Sequence, residues 1–166
     1  EGDTMFDKFG PLTYDELNET AKGLKMEGDI ESLILLAEEN GLDKEDAEDY
    51  ADGAMEPFVT SLEAAFGKIE VEAAVLKAER STTLTGMKEL IFQVLRNNKQ
   101  LQIAARNPEK QLAECYGRLF AEASRTRFNL PAAITKAAGL PNVCIGDLTT
   151  ERARVIIAEY YGGEEL

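Results

Sequence analysis

The chain of 166 residues has no histidine, no tryptophan, two cysteines, five prolines and only 7% aromatic residues. The missing imidazole excludes a Ser-His-Asp or Cys-His nucleophile within this chain, because both need a ring nitrogen to take the proton. Cys115 and Cys144 form no CxxC pair, and two thiols without an imidazole do not furnish a zinc site. Unclustered thiols, with no basic start followed by an apolar stretch in the first residues, fit a reducing cytoplasm. No apolar run approaches the roughly 18 residues of a membrane span. No GxxxxGK[ST] phosphate loop occurs, and Thr85, Gly86 and Lys88 are too short a match to replace it. The glycines of the acidic region build no calcium loop. With Gly53 at the sixth position the third would be Tyr50, and with Gly41 there the first would be Leu36. No cofactor and no metal are therefore expected, and no catalytic residue stands out.

Basic residues are scarce in one half. Residues 1–80 hold 22 Asp and Glu against 7 Lys and Arg, whereas residues 81–166 hold 9 against 11. The stretch Glu27–Glu56 carries twelve carboxylates and one base, Lys44. It is not an acidic tail, because its acids alternate with apolar residues at helical spacing. The hydrophobic fraction of 44% suffices for a core.

Periodicity and caps predict an all-α protein, a helical bundle of eight or nine helices in two lobes. An acidic lobe over 1–80 ends in a long helix, and a near-neutral lobe covers 81–166; the two are read either as lobes or as one continuous domain. Thr13 and Glu16 have capping-box spacing for the first helix. Asp29 caps the second, which Asn40 and Gly41 end. Asp43 caps a short third helix with Ala47, Tyr50, Ala51 and Ala54 inward. Pro57 suits the start of a helix over about 56–79, whose face is Phe58, Leu62, Ala65, Phe66, Ile69, Ala73 and Leu76. Polar residues from Arg80 to Gly86 mark the lobe boundary. Asn97 and Asn98 break the next helix. Asn107 and Pro108 start another, expected to bury Leu112, Cys115, Tyr116, Leu119, Phe120 and Ala123. A short helix follows Pro131 and stops at Gly139, a brief strand is expected over 142–145 within an irregular stretch, and a last helix over 149–161 places Tyr160 inside and Tyr161 partly outside.

Two surfaces emerge. On the third helix Glu45, Asp46, Glu48, Asp49 and Asp52 lie opposite Ala47 and Tyr50. Neighbours four residues apart are about 6 Å apart along the axis, from a rise of about 1.5 Å per residue. Like charges at that spacing repel. The face is either a solvated one that keeps the chain soluble or a lure for a basic surface, such as a groove built for phosphates. Nucleic-acid affinity comes from cations, so direct binding of nucleic acid by the acidic half is not expected. In the second half Arg96, Lys99, Arg106, Arg125 and Arg127 are either a modest basic patch, for nucleic acid or for an acidic patch on another copy, or merely scattered surface charges. Lys110, Glu114, Arg118 and Glu122 read as an exposed ladder of i, i+4 pairs.

The segments Met5–Gly10, Tyr14–Asn18, Glu27–Ser32 and Glu38–Asp43, with Lys136–Gly139 and Glu159–Gly163, resemble small acidic proteins carried by phages and conjugative elements of gut Firmicutes. Residues 109–123, with Leu112 and Cys115 on one helix, resemble PcfK-like conjugative-element proteins. Some of those act as anti-CRISPR inhibitors of an RNA-guided DNA nuclease. The resemblance brings no catalytic motif. It implies a cytoplasmic, non-enzymatic mobile-element protein whose partner has a basic surface, a CRISPR nuclease being one such partner. The alternatives are a structural or regulatory module of a phage or conjugative element, which could form a homo-oligomer, and a carboxylate-dependent enzyme around magnesium.

Overall fold

Capping decides where the helices of this computed structural model begin; it describes residues 6–163, leaving Met5 outside. Thr13 Oγ1 accepts from the Glu16 N–H at 3.3 Å while Glu16 Oε2 accepts from the Thr13 N–H at 2.9 Å, which opens α1 (Tyr14–Glu27). Asp29 caps α2 (Ile30–Glu39), and the Asn40–Gly41 turn leads to α3 (Lys44–Asp52). Then follow α4 (Ser61–Val75), a 3-10 turn at Ala78–Arg80, α5 (Thr82–Leu95), α6 (Lys99–Ala105), α7 (Leu112–Arg125), α8 (Ala132–Ala137) and α9 (Thr150–Gly162). Two short strands, β1 (Phe128–Asn129) and β2 (Cys144–Ile145), pair antiparallel. The protein is all-α, with nine α-helices among the described residues. None of these helices is long and apolar enough to cross a membrane.

Two helices depart from expectation at their starts. The helix expected over about 56–79 is α4, which begins only at Ser61. Thr60 and Glu63 form a second capping box there, satisfying the first free N–H groups. Just upstream, Asn18 of α1 grips Val59 on both sides, accepting its N–H at 3.2 Å and donating to its carbonyl at 3.3 Å. Residues 58–59 are thus held as a strut rather than a helical turn. Lys77, at φ 52°, ends the run at the other side. The helix expected from Asn107 and Pro108 begins at Leu112 instead. Asn107 Oδ1 accepts the Glu109 N–H at 3.0 Å and closes a local turn first.

Two clusters of buried apolar side chains meet on α4. Leu17, Leu33, Leu36, Ala47, Tyr50, Phe58 and Ala64 belong to the first. Ala65, Ile69, Ile91, Leu95, Leu112, Leu119, Ile157 and Tyr160 belong to the second. Both Tyr160 and Tyr161 are buried, so Tyr161 is not the partly exposed residue expected. It packs edge-on against the Tyr160 ring at 4.9 Å.

The turn before α3 touches α4 backbone to backbone. A Cβ at Gly41 would stand 2.5 Å from the Gly67 carbonyl oxygen, and Gly41 also has φ 68°. A methyl at Gly67 would strike the Asn40 carbonyl. Gly67, a weak helix former by propensity, is therefore required by this close approach. Gly67→Ala is expected to lower stability by about 1–3 kcal/mol despite its better helix propensity. A chemical-denaturation curve checks the sign: a more stable variant would mean the two backbones are not in contact.

Candidate partner-binding surface

The inner face of α3 is fixed in place. Ala47 and Tyr50 are buried against the first cluster. The Tyr50 ring meets Phe58 edge-on at 5.3 Å. Lys25 of α1 donates to the Tyr50 carbonyl at 2.6 Å and lies 4.3 Å over its ring. Gly53 at φ 78° ends the helix. This leaves Glu45, Glu48, Asp49 and Asp52 exposed on the opposite face, with Asp46 half-buried at its edge. Lys44 pairs with Glu48 at 3.4 Å, both side chains exposed. A pair of that kind contributes roughly 0–1 kcal/mol, so it offsets little of the repulsion.

Asp46 turns toward a groove of about 320 Å³ between α3 and α4. Its floor is Phe58, Leu62 and Phe66, and its rim is Asp43, Asp46, Glu63 and Glu70. Burial holds the Asp46 carboxyl above its ordinary range, and the charges of Asp43, Glu63 and Asp49 push it the same way. Glu70 accepts an ion pair from Lys88 at 2.7 Å, so three rim carboxylates carry no cation of their own among the described residues. Among the described residues no three carboxylates or thiols are placed to hold a metal ion. Sequence reasoning missed this groove. The available signal was Phe58, Leu62 and Phe66, four residues apart, flanked by the acid of the Thr60–Glu63 cap.

The basic patch does not form as expected. Arg96 and Lys99 are exposed at the α5–α6 junction, and Arg127 is exposed just past α7. Arg125 pairs with Glu122. Arg106 is not a surface residue at all: it is 0% exposed. Its Nε donates to the Leu12 carbonyl at 2.9 Å, Nη1 to the Ala64 carbonyl at 3.4 Å, and Nη2 to Asn40 Oδ1. It lies on the inward stripe of Leu101, Gln102 and Ala105, and this burial takes it out of any patch.

The ladder Lys110, Glu114, Arg118 and Glu122 also finds other partners. Lys110 donates to the Tyr160 carbonyl at 2.8 Å, and Glu114 accepts from the Tyr160 hydroxyl at 2.9 Å. Arg118 sits 5.0 Å over the Tyr160 ring, and the buried Glu122 accepts from Arg152 at 2.9 Å. Cross-helix contacts to α9 replace the i, i+4 pairs.

The two thiols differ in their surroundings. Burial pushes the Cys115 thiol up to about 12, so it is neutral and inert. Tyr161 is buried beside it, and burial raises its hydroxyl well above its ordinary value. Cys144 is an exposed thiol on β2. The chain matches no protein-family model, and comparison with curated proteins and with solved structures finds no similar chain.

Proposed function

We propose that this chain is a non-enzymatic mobile-element protein that binds and inhibits a nucleic-acid-handling host protein through its acidic face, with an RNA-guided DNA nuclease of a CRISPR system as the partner. One observation carries the proposal: Glu45, Glu48, Asp49 and Asp52 stand exposed on one helix whose opposite face is locked by Ala47 and Tyr50. A fixed row of carboxylates can occupy a surface that evolved for phosphates, and its field speeds encounter with a basic groove. The charge is of the wrong sign for nucleic acid itself.

The test is DNA cleavage by a purified CRISPR nuclease in the presence of this protein. The wild-type chain is expected to inhibit, less strongly as salt rises. Reversal to lysine at Glu45, Glu48, Asp49 and Asp52 is expected to weaken inhibition by at least about tenfold, equivalent to about 1.4 kcal/mol. Salt-independent inhibition, or full activity after reversal, would count against the acidic face.

A structural or regulatory module is the second reading, and a separate observation favours it. Between α7 and α9 the chain leaves Phe128, Ile134, Leu140 and Ile145 exposed. Exposed apolar residues close together suit a protein contact. That role predicts self-association, seen by sedimentation, that survives the reversal on α3.

A further inference from the structure

We propose that the groove between α3 and α4 is a docking site for a basic amphipathic peptide segment of the protein partner. An apolar side chain of that segment would seat on the half-buried Leu62 and Phe66, while flanking arginine or lysine reaches Asp43, Asp46 and Glu63. The proposal rests on the acidic-face function above and narrows it from a charged surface to a shaped site.

The chemistry of the walls selects this occupant. At about 320 Å³ the groove is at the small end of ligand sites, which span roughly 300–1,000 Å³. It accommodates a side chain or two rather than a whole helix. Its floor is apolar, so a purely charged polycation would leave that surface uncovered. Its rim is acidic, so phosphates are repelled. A cation beside Asp46 relieves the mutual repulsion with Asp43, Glu63 and Asp49 that the empty groove tolerates. The walls are also set at a fixed spacing. The Gly41–Gly67 contact joins the start of α3 to the middle of α4, and Thr60 with Glu63 pins the first turn of α4. A pre-organised site loses little freedom on binding. The exposed acids on the outer side of α3 then steer the basic segment toward the groove.

The full chain, labelled with ¹⁵N, is titrated with two acetylated, amidated hexapeptides. One alternates arginine and leucine, and the other alternates arginine and serine with the same charge. The arginine–leucine peptide is expected to bind about tenfold tighter, with the largest amide shifts at Gly41, Leu42, Leu62 and Gly67. Leu62→Ser should remove that advantage. The paired change Asp46→Asn with Glu63→Gln should weaken both peptides, and glutamine keeps the capping box of α4 intact. Equal affinity for the two peptides, absence of binding, or shifts confined to the outer face of α3 would overturn the groove. Nuclease inhibition separates this from the function it rests on. If reversal on α3 abolishes inhibition while Leu62→Ser inhibits like wild type, the groove fails and the acidic face stands. If the peptide seats in the groove while reversal leaves inhibition intact, the groove stands and the acidic-face function fails.

Discussion

Arg106→Ala is expected to lower stability by about 3–5 kcal/mol, because buried acceptors lose their donor at about 1–3 kcal/mol each and the lost side chain leaves a cavity. The guanidinium follows α6, yet its acceptors belong to the other end of the chain. Leu12 precedes α1, Asn40 ends α2, and Ala64 lies in the first turn of α4. Asn40 is itself buried and donates to the Leu36 carbonyl at 2.7 Å. One side chain therefore ties three segments together, and its plane also faces the Phe6 ring at 5.6 Å. Alanine leaves those acceptors unsatisfied and opens a cavity. Burial pushes the Arg106 guanidinium down to about 10, with Glu72 opposing, so it stays charged at neutral pH. Arg106→Lys keeps the charge but cannot reach all the acceptors, and a loss of about 2 kcal/mol is expected. Urea unfolding measures both. An alanine variant within about 1 kcal/mol of wild type would show that the guanidinium does not hold these segments together. The consequence reaches the candidate site, because Asn40 precedes the Gly41 turn that walls the groove.

Local rules made most of the helices legible. Thr13 with Glu16, and Asp29, each announce a helix and cap one in the structure, whereas Asn98, read as a break, and Thr149, read as the first residue of the last helix, prove to be caps as well. The inner face of α3 followed from Ala47 and Tyr50 at helical spacing, so its acidic outer face could be placed as well. The misread positions are those where a distant partner decides. Pro57 reads as a helix start until Asn18 takes hold of Val59 from forty-odd residues away. Arg106 reads as a surface charge because its acceptors lie up to 94 residues back along the chain. Its register was the available clue, since Leu101, Gln102, Ala105 and Arg106 form one stripe. Lys68 and Glu72 carried the same clue, lying on the stripe of Ala65, Ile69 and Ala73, all buried. The groove was hidden for another reason. It exists only because two glycines let α4 and the α2–α3 turn approach, and no single segment encodes that approach.

Glu72→Ala should be as damaging as the change at Arg106, at about 3–5 kcal/mol. Lys68 and Glu72 are only 3% and 4% exposed, and their side chains meet at 2.7 Å. Lys68 Nζ also donates to the Lys110 carbonyl. The second oxygen of Glu72 accepts the Leu112 N–H at 3.1 Å, at the first turn of α7. Gln111 makes no side-chain cap there, so α4 supplies the cap for α7. Removing the carboxylate leaves a buried ammonium without its counter-charge and a helix start without its acceptor. Burial already lowers the Lys68 ammonium below its ordinary 10.5, with Glu72 opposing. Without Glu72 it falls further, so the folded variant binds fewer protons than its unfolded chain over a wider window. Its stability should then rise with pH toward 10.5 more steeply than that of wild type, and the gap between the two should shrink. The double variant Lys68→Met, Glu72→Leu should recover most of the loss, ending within about 2 kcal/mol of wild type, because no unpaired charge remains. A double-mutant cycle by urea unfolding at neutral and alkaline pH reads all three expectations. A cost for Glu72→Ala of only about 0.5 kcal/mol, typical of an exposed i, i+4 pair, would mean that water reaches Lys68 and that α7 does not depend on α4 for its start.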